Sequence, residues 1–230
     1  MTSNISIIIP TLNEQQLLGG LLSSLQGYPD LEIIVADGGS KDRTLDIAAS
    51  FPVQTVQSRP GRGPQQNAGA QAASRPILLF LHCDCRLPAH FPEQVHAVVN
   101  RSGTAAGAFR LHIDARGTGF RLVEWGVNIR SGLLGIPYGD QAIFMKKQNF
   151  EAVGGFPDQP LLEDVALIRR LKRLGTITLA AAQVTTSPRR WQQLGILRTT
   201  LINQCILVGY TFGMSAEKLA RFYRGRTKNI

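Results

Sequence analysis

Residues 5–9 form a β-branched run that stops at Pro10, and residues 31–36 form another that stops at Asp37-Gly38-Gly39. Both predict buried strands. Between them, Leu17, Leu18, Leu21, Leu22 and Leu25 recur at helical spacing and predict a helix of about four turns, with Thr11 and Glu14 at the spacing of a capping box before it. The alternation continues with a helix near 42–50, a strand near 53–57, a helix near 64–73 and a strand over 77–81. Strands alternating with helices predict an α/β fold, with a mostly parallel central sheet covered on both faces. Ligands in such sheets gather beyond the carboxyl ends of the strands, so residues 10–14, 37–42, 59–67 and 82–88 are expected to face one crevice.

Beyond residue 100 the pattern is less regular and predicts a strand over 105–113, a helix over 119–131, a strand over 142–146 and a helix over 162–174. From Trp191 the chain reads as helix, with Leu194, Leu197, Leu201, Cys205, Val208 and Phe212 on one side and Ile196, Ile206 and Leu207 on the other. A helix apolar nearly all round needs cover, and this one is expected to pack on the domain or across a homodimer.

Charge sharpens this picture at one end. Of the formal net charge of +9, residues 189–230 supply +7 through eight Lys/Arg against one Glu. A basic tail suits anionic lipid, nucleic acid or phosphorylated ligands, and equally a solvated helical face. With Arg221, Arg224, Arg226 and Lys228 following the apolar stripe, peripheral membrane contact is the partner it points to; nucleic acid is not expected. The 230 residues suffice for a core without disulfides. Three cysteines cannot all pair, and no apolar segment follows Met1, so a cytoplasmic location is expected, on the inner face of the membrane if the tail docks there. No stretch of ~20 uninterrupted apolar residues offers a membrane span.

The candidate chemistry begins at Phe80-Leu81-His82-Cys83-Asp84-Cys85-Arg86, where an apolar strand ends on an acid flanked by two cysteines and a histidine. His90, His96 and His112 show no paired zinc-type spacing, so the cysteines are expected to be packing residues. Asp84 is a carboxylate at a crevice edge, where it is solvated, caps backbone N–H groups, or holds a hard cation such as Mg²⁺ or Mn²⁺. Asp37, before two glycines, offers acceptors to a nucleobase or ribose, or forms an Asx-turn. Arg62 and the helix start after Gly63 offer charge and free N–H groups to a diphosphate. Glu163 and Asp164 sit where a helix start favours acids.

Taken in order, these segments resemble the family 2 inverting glycosyltransferases of GT-A fold. Pro10-Thr11-Leu12-Asn13-Glu14 is similar to the family's I-P-x-x-N-E opening, and Val35-Ala36-Asp37-Gly38-Gly39-Ser40-Lys41-Asp42-Arg43-Thr44 to its V-D-D-G-S-x-D-x-T turn, with Ala36 in place of the first acid. Gly61-Arg62-Gly63-Pro64-Gln65-Gln66-Asn67 resembles its Gly-rich, Asn-containing helix, His82-Cys83-Asp84 stands at its D-x-D metal motif, and Glu163-Asp164 at its E-D pair. More narrowly, residues 82–88, Tyr138-Gly139-Asp140-Gln141 and Pro188-Arg189-Arg190-Trp191 resemble a short bacterial subfamily labelled arsenosugar-biosynthesis glycosyltransferases, although no residue shows arsenic chemistry.

The resemblance implies a GT-A type, Rossmann-like domain over 1–190, with a nucleotide-binding half (1–100) and an acceptor half (101–190), followed by a basic helical extension over 191–230. It implies transfer of a sugar from a nucleotide-sugar donor to the hydroxyl of a small-molecule or lipid-linked acceptor. Asp164 becomes the base and Glu163 its helper. Pro10, Thr11, Asn13, Glu14, Asp37, Gly38, Arg62, Gln66 and Asn67 become nucleotide-binding residues. Asp84 with His82 becomes the seat of a divalent metal, and Tyr138, Asp140 and Gln141 line the acceptor side. His82 departs from the first acid of D-x-D. Ser187 stands where processive members place the Gln of Q-x-x-R-W, so long-polymer synthesis is not implied. A sugar nucleotidyltransferase would need a Gly-rich basic loop after the first strand, and a nicotinamide enzyme G-x-G-x-x-G; residues 10–14 are neither. The non-enzymatic alternative is a basic docking module whose pocket is vestigial.

Overall fold

A computed structural model describes residues 4–227; Lys228, part of the basic tail, lies outside the described residues. The strands are β1 (Ile5–Thr11), β2 (Glu32–Asp37), β3 (Gln54–Gln57), β4 (Ile77–Phe80), β5 (Cys85–Arg86), β6 (Thr104–Ile113), β7 (Phe144–Lys146) and β8 (Thr176–Thr186). The helices are α1 (Leu18–Leu25), α2 (Thr44–Ala49), α3 (Arg62–Ala72), α4 (Phe91–Val99), α5 (Thr118–Leu134), α6 (Lys147–Ala152), α7 (Glu163–Leu171), α8 (Arg189–Leu194), α9 (Ile196–Thr211) and α10 (Ala216–Thr227). All strands join one sheet in the order β3-β2-β1-β4-β7-β6-β8-β5. The first four run parallel, β7 is antiparallel to both β4 and β6, and β6 and β8 are parallel.

Alternation along the strands divides the core in two. Ile5, Ile7, Ile9, Val35 and Leu79 face α1 and α4, meeting Leu18, Leu22, Phe91 and Val95. Ile8, Ile34, Leu78 and Phe80 face the other way, toward Phe150 of α6, Phe156, and Leu167 and Ile168 of α7. Successive strand side chains point to opposite faces, so an uninterrupted apolar run fits a sheet covered on both. Close helix-to-sheet approach requires glycine at one point: a Cβ on Gly69 of α3 would stand 2.4 Å from Ile8 of β1.

Two local expectations are corrected. The leucine helix is shorter than four turns, because residues 15–17 form a turn and α1 begins at Leu18. The capping box is absent. Thr11 instead donates its hydroxyl to Asp37 (3.2 Å), and the N–H of Glu14 is taken by the Thr44 hydroxyl (2.8 Å). These atoms bind across the strand tips rather than along one helix.

The C-terminal helices are also more broken than the pattern suggests. Gly195, at φ 84°, separates α8 from α9, a left-handed backbone that favours glycine. Ile202, Ile206 and Leu219 pack on Leu162 and Val165 at the start of α7. Cover is partial, however: Leu197 is 80% exposed and Phe212 85%, with Leu201 and Val208 open along the same helix. Among the described residues, no helix is long and apolar enough to cross a membrane.

Candidate functional site

The tips of β1, β2 and α3 are laced together by side-chain-to-backbone bonds. Asn13 and residues 40–41 exchange two: the Asn13 N–H donates to the Ser40 hydroxyl (2.9 Å), and its side-chain oxygen accepts from the Lys41 N–H (2.8 Å). Asn13 sits at φ 57°, a left-handed position that asparagine tolerates better than most residues. Gln65 donates its amide to the Thr11 and Ala36 carbonyls (2.5 and 3.0 Å). Gly38 lies under that amide, and an added Cβ would meet it at 3.0 Å. Pro10, half-buried at the end of β1, accepts a weak thiol contact from Cys83 (3.8 Å).

Around this frame the charged residues converge. Arg62, which opens α3, lies in the field of Glu163, Asp164 and Asp84. Crowding by protein opposes its charge, but the three carboxylates outweigh this and hold its pKa above the ordinary arginine value. Partial burial and Asp84 raise the pKa of Glu14, with Arg189 and Arg62 pulling the other way. Asp84 is half-buried, and its carboxylate takes a weak contact from the Cys85 thiol (3.6 Å). Asp164 accepts from two backbone N–H groups, Gly139 (2.7 Å) and its own neighbour Val165 (2.7 Å).

Gly139 brings the two ends of the site together. A Cβ there would stand 2.8 Å from the His82 ring and 3.5 Å from the Asp164 carboxylate. The strand tip carrying His82 and Asp84 and the helix start carrying Glu163 and Asp164 therefore meet across one residue that has no side chain. Crowding and the Arg62 charge push the His82 pKa down to about 4, against the pull of Asp84, so the imidazole is neutral near pH 7.

Glu163 is 6% exposed, and burial, with the Asp164 charge, pushes its pKa up to about 7 against the pull of Arg62. A carboxyl whose folded pKa exceeds its unfolded value binds an extra proton in the native state, so stability falls as pH rises through the interval from about 4.5 to about 7 and levels above it. Glu163→Gln should remove this fall, worth up to about 3 kcal/mol at ~1.4 kcal/mol per pKa unit. Urea midpoints at pH 5 and pH 8 check it: the gap between the two should shrink in the variant.

Several expected contact residues turn away from the crevice. Asp37 is fully buried; its carboxylate accepts from Thr11, from the Ser40 hydroxyl (2.5 Å), and from the Gly39 and Ser40 N–H groups (both 2.8 Å). Four donors fill its acceptor capacity, so it holds the loop instead of offering a free oxygen to a base. Asn67 spends its amide on the backbone of Phe156, donating to the carbonyl and accepting from the N–H (both 2.9 Å). Gln66 is buried and bonds back to the Arg62 carbonyl (3.1 Å). Gln141 is 0% exposed, held by Ser131 (2.7 Å), the Tyr138 N–H (3.2 Å) and the Phe109 carbonyl (3.0 Å). These are positioning residues.

Tyr138 and Asp140 stay on the site. Arg130 stacks over the Tyr138 ring at 3.7 Å, and burial raises the phenol pKa to about 12. Burial raises Asp140 to about 6, with Arg130 opposing and Asp164 and Asp84 adding to the rise. Sequence reasoning assigned no site role to Arg130, Arg189, Arg190 or Tyr223. Arg190 stacks on Tyr223 at 4.8 Å and lies in the fields of Arg62, Asp140 and Asp84. The R-W pair marked Arg190, whereas nothing local marks Arg130 or Tyr223.

Cys83 and Cys85 are buried, and burial raises both thiols well above their usual pKa, so they pack as protonated thiols. No cage of three or more His, Cys, Asp or Glu side chains exists among the described residues. The donor set instead suits a hard cation held by one carboxylate with the remaining positions left to a ligand's phosphate oxygens: Asp84 is lightly engaged and His82 beside it is neutral.

Residues 6–155 match the family model described as Glycosyl transferase family 2. A dolichyl-phosphate hexose transferase of Haloferax volcanii is 27% identical over 100 residues, covering 42% of this chain and 43% of that protein. A PGL/p-HBAD biosynthesis glycosyltransferase of Mycobacterium tuberculosis is 39% identical over 88 residues, 34% of each chain. Both matches thus span less than half of the relative's length. Among solved structures, a mannosyltransferase from Pyrobaculum calidifontis in complex with GDP-Man and Mn²⁺ superposes with a TM-score of 0.65 at 20% identity, covering 80% of this chain and 56% of that one, a likeness of fold.

Proposed function

This chain belongs to glycosyl transferase family 2 and is a glycosyltransferase, and on that premise we propose that it moves a sugar from a nucleoside-diphosphate sugar to an acceptor hydroxyl with inversion, assisted by a divalent metal and without processive polymerisation. One observation carries the reading: Gly139 lets the Asp84 strand tip and Asp164 share one short wall, with Arg62 in the field of both carboxylates. Asp164, oriented by the Gly139 and Val165 N–H groups, takes the proton of the acceptor hydroxyl. The hydroxyl oxygen bonds to the anomeric carbon from one face while the carbon–oxygen bond to the diphosphate breaks on the other. Arg62 meets the departing negative charge at the start of α3.

Asp84, with the neutral His82 beside it, would hold Mg²⁺ or Mn²⁺; such a cation, when bound, neutralises diphosphate charge. Asn13, Glu14 and the loop shaped by Asp37 and Gly38 form the nucleotide side; Tyr138 and Asp140 form the acceptor side. Ser187 in place of the processive glutamine supports a single transfer. Nucleotide sugars should be screened with and without Mn²⁺ for diphosphate release, and the product's anomeric configuration read by NMR. Inversion with diphosphate release is expected; a retained configuration overturns the mechanism.

The open stripe of α9 supports a peripheral membrane contact as well. Leu197, Leu201, Val208 and Phe212 face solvent, and Arg198, Arg221, Arg224 and Arg226 are exposed on α9 and α10. Apolar insertion and attraction to anionic headgroups act together on such a surface. The protein should co-sediment with anionic vesicles at low salt and lose this without residues 215–230. Absence of binding to those vesicles removes the membrane partner.

A further inference from the structure

Six buried side-chain polar atoms among the described residues lack a hydrogen-bond partner: Arg130 Nη2, Asp140 Oδ1, Arg190 Nε, Trp191 Nε1, Thr199 Oγ1 and Thr200 Oγ1. The tyrosines under the two arginines, Tyr138 and Tyr223, pack in one apolar cluster. Arg130 lies on α5, Asp140 in the short turn after Tyr138, Arg190 and Trp191 on α8, and the threonines in the first turns of α9. Trp191 and Ile196 pack with Phe120 and Val123 of α5, which ties α8 and α9 to α5. Buried polar groups in folded proteins are normally paired, so a cluster of exceptions calls for a partner absent from the chain itself.

The chemistry of the six specifies that partner. Three are N–H groups, two are hydroxyls able to donate, and one is a carboxylate oxygen. A set of groups rich in donors fits a ligand rich in acceptors. Both arginines are held in place while keeping N–H groups free. Arg130 stacks on Tyr138 and donates Nε to the Ile136 carbonyl (3.2 Å); Arg190 stacks on Tyr223 and donates to Asn203 (3.0 Å). Neither forms a salt bridge among the described residues. Asp140 lies in the field of both and also of Asp164. Arg62 lies in the field of Asp84 and the Glu163-Asp164 pair, where the donor diphosphate is proposed to sit; Arg190 feels Arg62 as well, and Arg190 and Arg130 both act on Asp140.

We propose that the acceptor carries an oxyanion, a phosphate or a carboxylate, that seats on Arg130 and Arg190 and so presents the acceptor's hydroxyl to Asp164. The proposal rests on the transferase reading for its meaning, but its test needs no turnover. Inorganic phosphate, with acetate as a second arm, is titrated by calorimetry and thermal shift into Arg62→Gln, which disables the diphosphate seat. Phosphate should still bind and stabilise this protein. Adding Arg190→Gln should weaken phosphate by about tenfold or more, the scale of losing a charge-assisted contact. Arg130→Gln should do the same, and Arg130→Lys, which keeps the charge and spares folding, should weaken it less. Binding of both probes assigns either oxyanion and supports the seat; binding of phosphate alone assigns a phosphorylated acceptor and supports it too. Phosphate binding abolished by Arg62→Gln alone, or unchanged by Arg190→Gln, overturns the proposal. Diphosphate release from the donor in the unaltered protein tests the transferase reading separately, so either can fail while the other stands.

Discussion

Asp164→Asn should lower the rate of sugar transfer by about 10²–10⁴-fold, the usual contribution of a general base. The substitution preserves shape and removes the ability to take a proton. It also puts an NH₂ group where a carboxylate oxygen accepted, so either the Gly139 or the Val165 N–H loses a partner, at a cost of about 1–3 kcal/mol for a buried donor. Both effects are measurable apart: kcat by coupled detection of released nucleoside diphosphate, and stability by urea unfolding. The donor KM should change little, because Arg62 and the β1–β2 loop frame remain. A variant that is folded and transfers sugar within tenfold of the wild-type rate would remove Asp164 from the base position.

Asp84→Asn should produce the second large effect, a fall of about 10²–10³-fold together with loss of the response to Mn²⁺. A carboxamide oxygen is a weaker ligand for a hard cation than a carboxylate. Arg62 would also lose one of the three carboxylates that sustain its charge. Turnover measured across a Mn²⁺ titration separates the two substitutions. Asp164→Asn should saturate with metal at the wild-type concentration, whereas Asp84→Asn should stay low or require far more. An Asp84 variant with an unaltered metal titration would place the cation, if one is used, elsewhere.

Strands β1 and β4 were legible because they are buried on both faces and therefore read as nearly continuous apolar runs; Ile5, Ile7, Ile8 and Ile9 are all 0% exposed. β8 escaped because Thr176–Thr186 is built of threonine, alanine and glutamine, with few large apolar residues to set a period. The helix Phe91–Val99 carries apolar residues at 91, 95, 98 and 99, but it is short and begins behind His90 in a left-handed conformation with Pro92 in the first turn. Motif spacing located the site's loops and could not say where their side chains point. Asp37, Asn67 and Gln141, which the resemblance makes ligand-contact residues, are each spent on backbone or neighbouring hydroxyls. Arg130 and Tyr223 reach the site only through tertiary packing, and in sequence they look like ordinary residues of solvated helices.

The double bond between the Asn67 amide and the backbone of Phe156 joins residues 89 apart and fastens the loop leading into Glu163 to the helix that begins at Arg62. The proposed base and the proposed diphosphate seat are thereby fixed to a common chassis. A catalyst arranged this way gains little from clamping shut on its cargo, so choice among sugars falls to the static contour of its walls and, for reactants of similar outline, such sieving tops out at modest ratios.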